Sequence, residues 1–405
     1  DTLSMALREP EFATAVVEAR YLWGDKRLFD TLTWRFFRKV VRGRRFAFYN
    51  DCINARQTER EQFGETVRQL EPDVKRSPGG LRDLHLIRWV GYGQYQTTNI
   101  DFLYKLGALN RGDSNAIIEA QEFLTRVRVE LHFAAGRAQE VLTRGEQLRL
   151  AELFGYTDTA GQRGVERFMQ VYFRHSTAVA DVAQRFVALN RPTSFKQRLV
   201  KFLLTHRSNQ MYVVGPDEID IRKKYRDQVC SKVELLLNIY ELAGLYSVSV
   251  APSFVEEIKQ AIPHLPPRLA LTTPVSEQTA ALFRSILRQT GSVGELLRGM
   301  YGTGLLEYII PEMARCRCLL QFNQYHKYTV DEHSLKAVEA AENFERDQGP
   351  VGAAYREIRH KDILHLAMLI HDLGKGFEED HSDVGARMAR VSTSSISFRG
   401  TGSGL

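Results

Sequence analysis

At 405 residues, with 43% hydrophobic and 26% charged side chains, the chain has an ordinary globular composition and room for two or three domains. Its formal charge of +6 is small for this length and does not argue for nucleic acid, and no run of 18 apolar residues is present to span a membrane. The opening Asp1-Thr-Leu-Ser-Met predicts no secretory leader, and four cysteines are too few for a disulfide framework, so a cytoplasmic protein with reduced thiols is expected.

Helical periodicity dominates the first half. Residues 10–23, 26–41, 52–70, 80–96, 115–135, 145–154, 163–190 and 193–205 read as amphipathic helices with breaks at Gly, Asn or Pro. Arg35, Arg38, Lys39, Arg42, Arg44 and Arg45 alternate with Trp34, Phe36, Phe37 and Phe46, which sorts into an apolar stripe and a basic, solvated face. Ahead of the helix at 80–96 stand Asp73-Val74-Lys75 and then Pro78-Gly79-Gly80-Leu81-Arg82-Asp83-Leu84. There Gly79-Gly80 suit a turn, and Asp83 could pair with Arg82 or Lys75 to fix the helix start.

The second half opens on the best candidate for strands. Met211-Tyr-Val-Val-Gly-Pro-Asp-Glu-Ile-Asp-Ile221 predicts a short hairpin turning at Gly215-Pro216. Its acidic run, Asp217-Glu218-Ile219-Asp220, reads as a loop, because the aspartates are too far apart for a paired-carboxylate metal site. Helices resume at 228–243, 252–262, 276–289, 292–300 and 302–308, with Pro263, Pro266, Pro267 and Pro274 marking a connector. Thr329-x-x-Glu332 has the form of a capping box and predicts a helix from Val330. His333 would share a stripe with Ala337, Ala340 and Phe344 and face inward.

Asp362 is a plausible N-cap for a further helix, and from Ile363 to Leu373 the polar side chains are His365, His371 and Asp372 alone. A helix apolar all round is a central, buried one. Polar groups at the end of such a helix cost several kcal/mol unless paired or bound to a metal. His333, His371 and Asp372 together suit a divalent ion and leave positions open for water and phosphate oxygens. Residues 391–405 are rich in Ser, Gly and Thr and predict a disordered tail.

The pattern His333…His371-Asp372, with Gly374-Lys375 after it, resembles the HD phosphohydrolase superfamily. Tyr328-Thr-Val-Asp-Glu-His333, His371-Asp-Leu-Gly-Lys-Gly376 and Asp380-His381-Ser382 together are similar to the HD domain of the bacterial PII uridylyltransferase/uridylyl-removing enzymes. Pro78-Gly79-Gly80-Leu81-Arg82-Asp83-Leu84 and Glu18-Ala-Arg-Tyr-Leu-Trp-Gly-Asp25 resemble the helical region that follows that family's nucleotidyltransferase core, so the resemblance runs from about residue 10 to about 390.

The resemblance implies an all-α fold with one possible short hairpin. It divides into a helical domain at 1–205, a helical connector at 206–320, the N-terminal part of an HD domain at 321–390 and the tail. It also implies hydrolysis of a uridylyl-tyrosine phosphodiester on a PII signalling protein, with UTP and UMP as the family's nucleotides. His333, His371 and Asp372 would hold a divalent metal, magnesium or manganese, with His381 a further ligand. Water on the ion would attack phosphorus, Asp372 could take its proton, and Lys375 would steady the phosphate charge. Gly79, Gly80, Arg82 and Asp83 have a second reading here, as the helical side of the nucleotidyl-transfer pocket.

Two departures set limits on this reading. The superfamily uses a last Asp well downstream of the His-Asp pair, and nothing after Asp383 is acidic; the family's Gly-Ser…Asp-x-Asp core is also not found, so a fragment of incomplete activity is expected. A generic HD-type nucleotide phosphohydrolase and a non-catalytic helical module that binds a partner are the alternatives.

Overall fold

The computed structural model describes residues 2–63, 66–159, 162–192, 206–207, 211–266, 275–320, 328–375, 383–387 and 390. The expected helix at 193–205, His381 and the tail at 391–405 lie outside the described residues. The chain forms two compact units, Asp1–Thr159 with Arg163–Thr193, and Ser194–Leu405 with Ala160–Gln162.

The first unit is helical: α1 (Thr2–Arg8), α2 (Pro10–Val17), α3 (Lys26–Phe36), α4 (Arg45–Phe63), α5 (Leu81–Tyr95), α6 (Ile100–Lys105), α7 (Arg111–Ala135), α8 (Arg144–Leu153) and α9 (Gly164–Leu189). Its centre is α9, on which α5, α7 and α8 pack. Ile117, Leu124, Val127 and Leu131 of α7 meet Phe168, Phe173 and Val179 of α9 in a core shielded from water. Local chemistry sets the ends of the helices. Asn99, Asn110 and Thr143 each accept a backbone N–H as N-caps, and Gly136 stops α7 in the left-handed region at φ 61.

Several boundaries differ from the sequence pattern, among them the helix expected at 52–70, which runs Arg45–Phe63. The run expected at 10–23 ends at Val17, because Gly24 turns at φ 110 and Asp25 caps the next helix by accepting from Arg27 N–H at 2.8 Å. After α3 the chain continues as a π-helix over Phe37–Arg42. Its wider turn lets consecutive Val40 and Val41 both face inward while Arg38, Lys39 and Arg42 stay in solvent.

The second unit adds a small sheet. β1 (His206–Arg207), β2 (Tyr212–Val214), β3 (Glu218–Ile221) and β4 (Ser249–Val250) run in that order, antiparallel except for the parallel β3–β4 pair. The expected hairpin is β2–β3, closed by Gly215 N–H donating to Glu218 O at 2.8 Å. The acidic run read as a loop lies largely in β3; alternation buries Ile219 and Ile221, while Asp220 pairs with Arg226.

Helices α10 (Arg226–Cys230), α11 (Val233–Leu245), α12 (Pro252–Ala261), α13 (Glu277–Arg288), α14 (Val293–Thr303), α15 (Leu305–Ile309), α16 (Met313–Cys316), α17 (Val330–Asn343), α18 (Pro350–Glu357) and α19 (Lys361–Ile370) complete this unit. Residues from Tyr212 to Leu373 share one apolar core, in which α17 packs on α14 and α19, and α19 on α13. The elements that carry His333 and His371 are therefore held by the same packing. No helix of the described residues is long and apolar enough to cross a membrane.

Candidate metal centre

Two buried acids anchor the helix that carries His333. Asp331, fully buried, accepts hydrogen bonds from the Tyr301 hydroxyl and from the Cys318 backbone N–H, the latter at 2.9 Å. Glu332, 1% exposed, receives both Nη atoms of Arg298 at 3.0 and 3.2 Å. The capping box expected from Thr329-x-x-Glu332 does not form. Thr329 occupies the N-cap with its hydroxyl unbonded, and the Glu332 side chain is turned to Arg298 instead. The helix nevertheless starts at Val330, with Asp331 and Glu332 of its first turn fixed by tertiary partners.

His333 does not face inward. The buried face of α17 is Asp331, Ser334, Leu335, Val338 and Ala341, Ala340 is exposed, and the His333 side chain is 43% exposed at the edge of that face. Helix α19 is likewise one-sided rather than apolar all round. Leu366, Leu369 and Ile370 are buried, whereas Ile363, Ala367 and His371 line an exposed face at four-residue spacing. Asp362 lies inside the first turn, not at the N-cap, and is paired with Arg288 at 3.0 Å. His365, fully buried, is a satisfied core histidine, with Nδ1 2.7 Å from Leu287 O and Nε2 2.8 Å from the Tyr355 hydroxyl.

Across the α17–α19 contact, His333 meets the adjacent pair His371-Asp372, two imidazoles and a carboxylate. His333, His371 and Asp372 each present a ligand atom, all within 4.8 Å of one another. The imidazole centroids are 5.3 Å apart at 62°, and Asp372 Oδ2 lies 3.6 Å from His333 Nε2 and 3.4 Å from His371 Nε2. His371 Nδ1 is 2.7 Å from Met368 O; because a carbonyl only accepts, Nδ1 donates there, and Nε2 is the ring atom that faces Asp372. Lys375 Nζ donates to Asp372 Oδ2 at 2.6 Å, and both side chains are 12% exposed.

This set fits a divalent ion. Ligand bonds of about 2.0–2.2 Å place donors at most ~4.4 Å apart, so the triad needs to close by only a few tenths of an ångström. Two imidazoles and one carboxylate leave further positions for oxygen ligands. Sequence reasoning missed Tyr301, Arg298 and the Cys318 N–H, which lie outside the motif. The available signal was two consecutive acids, Asp331 and Glu332, opening a helix that buries them.

Gly79, Gly80, Arg82 and Asp83 form a joint inside the first unit. Asp83, fully buried, accepts from Arg56 Nε at 2.6 Å, Arg60 Nη2 at 3.2 Å and Gly79 N–H at 2.7 Å. The expected partners are thus replaced by two arginines of α4, while Arg82 pairs with Glu59 at 3.1 Å. Gly79 has φ +75, and a Cβ there would lie 2.0 Å from Ser176 O, so only glycine fits.

Residues 47–187, almost all of them in the first unit, match a family model, GlnD PII-uridylyltransferase. A second model, the HD domain, matches residues 330–396 and so includes His333, His371 and Asp372. The chain is 30% identical over 404 residues to a bifunctional uridylyltransferase/uridylyl-removing enzyme of Azospirillum brasilense, covering 96% of this chain and 42% of that protein. It is 31% identical over 386 residues to the enzyme of the same name from Rhodospirillum rubrum, covering 93% of this chain and 40% of that protein. No solved structure matches. Along nearly its whole length, the chain is therefore a relative of the bifunctional uridylyltransferase/uridylyl-removing enzymes, spanning about two fifths of the length of the relatives it matches.

Proposed function

We propose that this chain forms part of a bifunctional PII uridylyltransferase/uridylyl-removing enzyme and that its HD segment cleaves the uridylyl-tyrosine phosphodiester of a PII protein. The observation that carries this reading is the meeting of His333, His371 and Asp372 within 4.8 Å, inside the segment that matches the HD domain. The three side chains would hold a divalent ion, magnesium or manganese. Such an ion, when bound, supplies Lewis-acid stabilisation of phosphate charge and activates water at neutral pH.

The chain's own groups have separable tasks. Met368 O orients His371 so that Nε2 faces the site. Asp372 takes the proton of the attacking water. Lys375, held against Asp372, meets the charge that builds on the phosphate oxygens. In the balanced step, the water oxygen bonds to phosphorus, the phosphorus–tyrosyl oxygen bond breaks, the phenolate gains a proton and UMP leaves. The proposed partners are thus PII and, in the transferase direction, UTP; the relatives are named for both activities. No disulfide joins the four cysteines, which suits a reducing cytoplasm.

Incubating the chain with uridylylated PII and manganese tests this reading. Weak UMP release is expected, because no acidic residue follows Asp383 to complete the HD set, with Asp372→Asn lowering the rate further, by about 10²–10⁴-fold. Release of phosphate from free nucleotides with no release from uridylylated PII would favour a generic HD-type nucleotide phosphohydrolase. Metal binding with no hydrolysis of either substrate would favour the non-catalytic module.

A further inference from the structure

The outward face of α3, and of the π-helix that continues it, is cationic without counter-charge. Arg27, Arg35, Arg38, Lys39 and Arg42 are all exposed, and none is in an ion pair among the described residues. The stretch has one acid, Asp30, and Lys26 holds it at 2.9 Å. Arg35 and Lys39 are four residues apart, as are Arg38 and Arg42, so like charges meet on successive turns and repel. The first unit gains nothing from that crowding by itself.

Apolar side chains share the face. The sequence pattern placed Trp34 and Phe46 in the same stripe as Phe36. Instead Phe36, Val40 and Val41 fill the buried side, while Trp34 is 53% and Leu28 70% exposed beside the cations. The Arg38 guanidinium lies over the Trp34 ring at 4.8 Å, and that of exposed Arg45 over Phe46 at 5.5 Å. Stacking restricts both arginines in advance, so less rotamer freedom remains to be lost when an anion pairs with them.

The chemistry of the face selects among anionic partners. A helix that seeks a lipid surface inserts its apolar face, and here that face is already packed in the core. Single-stranded nucleic acid stacks its bases on free aromatic rings, whereas Trp34 and Phe46 already carry arginines. Exposed tryptophan among arginines, with a single lysine, is the make-up of a protein–protein contact. Guanidinium forks match carboxylates, and from Arg27 to Arg42 the face runs roughly 20 Å, the reach of about six extended residues.

We propose that this face docks an acidic segment of a partner protein, its carboxylates meeting Arg27, Arg35, Arg38 and Arg42 and an apolar side chain packing on Trp34. The docking surface does not depend on the hydrolysis proposed for the HD segment. Fluorescence anisotropy of the full chain with two fluorescein-labelled heptapeptides tests it at low salt. One peptide is all glutamate; the other carries a leucine at its centre.

Both peptides are expected to saturate, with the leucine peptide binding more tightly. Arg35→Gln combined with Arg42→Gln should weaken both about tenfold. Trp34→Ala should erase the advantage of the leucine peptide, and circular dichroism should show both variants folded. Lys223→Gln combined with Lys224→Gln, a basic pair in the second unit, should leave both affinities unchanged. Four results overturn the proposal: no saturable binding, no advantage of the leucine peptide, equal weakening by the Lys223 and Lys224 changes, or tighter binding through Arg35 and Arg42 of either a single-stranded DNA heptamer or phosphatidylglycerol vesicles.

Discussion

Asp83 is a carboxylate without solvent, and its neighbours determine how it titrates. Burial alone would push it up. The Arg56 hydrogen bond and charge, Arg60 and the Gly79 N–H outweigh that and hold it below the usual 3.8. A depressed carboxylate stabilises the fold above its ordinary pKa, and that contribution fades as pH falls through and below it. Asp83→Asn leaves buried Arg56 with only its longer, 3.4 Å contact to Glu59 as an anion and should cost about 3–5 kcal/mol by urea unfolding at pH 7. The deficit should narrow in acid; a variant as stable as the parent at pH 7 would contradict the assignment.

His85 works in the opposite sense for charge and the same sense for pH. Its folded pKa, near 4, lies below the usual 6.5, so between those values the unfolded chain binds a proton that the folded chain refuses. Stability should therefore decline as pH drops from 6.5 to 4, and His85→Gln should flatten that part of the profile. An unchanged slope in the variant would assign the acid sensitivity elsewhere.

At the scale of elements, the motif residues were legible and their supports were not. His371-Asp372 at a helix end and His333 at a helix start could be read from spacing, because both depend on local pattern. The partners of Asp331 and Glu332, Tyr301 and Arg298, come from α14, about 30 residues upstream and set only by packing. The same long-range ion pair is why the capping-box residues are used differently from their local reading. The all-round apolar reading of α19 failed for a related reason: composition shows what a helix could bury, and only neighbours decide which face is covered.

Tyr301→Phe removes the hydroxyl that satisfies a buried carboxylate at the first turn of α17. It should cost about 1–3 kcal/mol by thermal or urea unfolding, and no loss would show that Asp331 does not depend on it. Gly79→Ala places a Cβ against the Ser176 backbone in a left-handed turn, so a loss of soluble, cooperatively folding protein is expected. Normal expression with an unchanged melting midpoint would mean that the α5–α9 approach is looser than described.

On the scale of the molecule, fold class was readable because amphipathic periodicity runs through most of the chain. The β2–β3 hairpin was readable from Gly215-Pro216 between alternating apolar residues. Strands β1 and β4 have two residues each, too few to show an alternation, and were not seen in the sequence. Nor does the sequence show that residues from Tyr212 to Leu373 share one core, which makes the candidate metal centre an outgrowth of a larger helical unit. That packing sets the distance between His333 and His371 from both sides, a pre-organised arrangement in which the proposed ligands would close on an ion without refolding.

The central claim is that His333, His371 and Asp372 hold a divalent ion. Manganese titration by calorimetry on the full chain, beside His371→Ala and the core control Tyr355→Phe, tests it most directly. The account predicts about one ion per chain in the parent and in Tyr355→Phe, and loss of that binding in His371→Ala with an unchanged circular dichroism spectrum. Failure of the parent to bind stoichiometric manganese, or equal binding in His371→Ala, would contradict it.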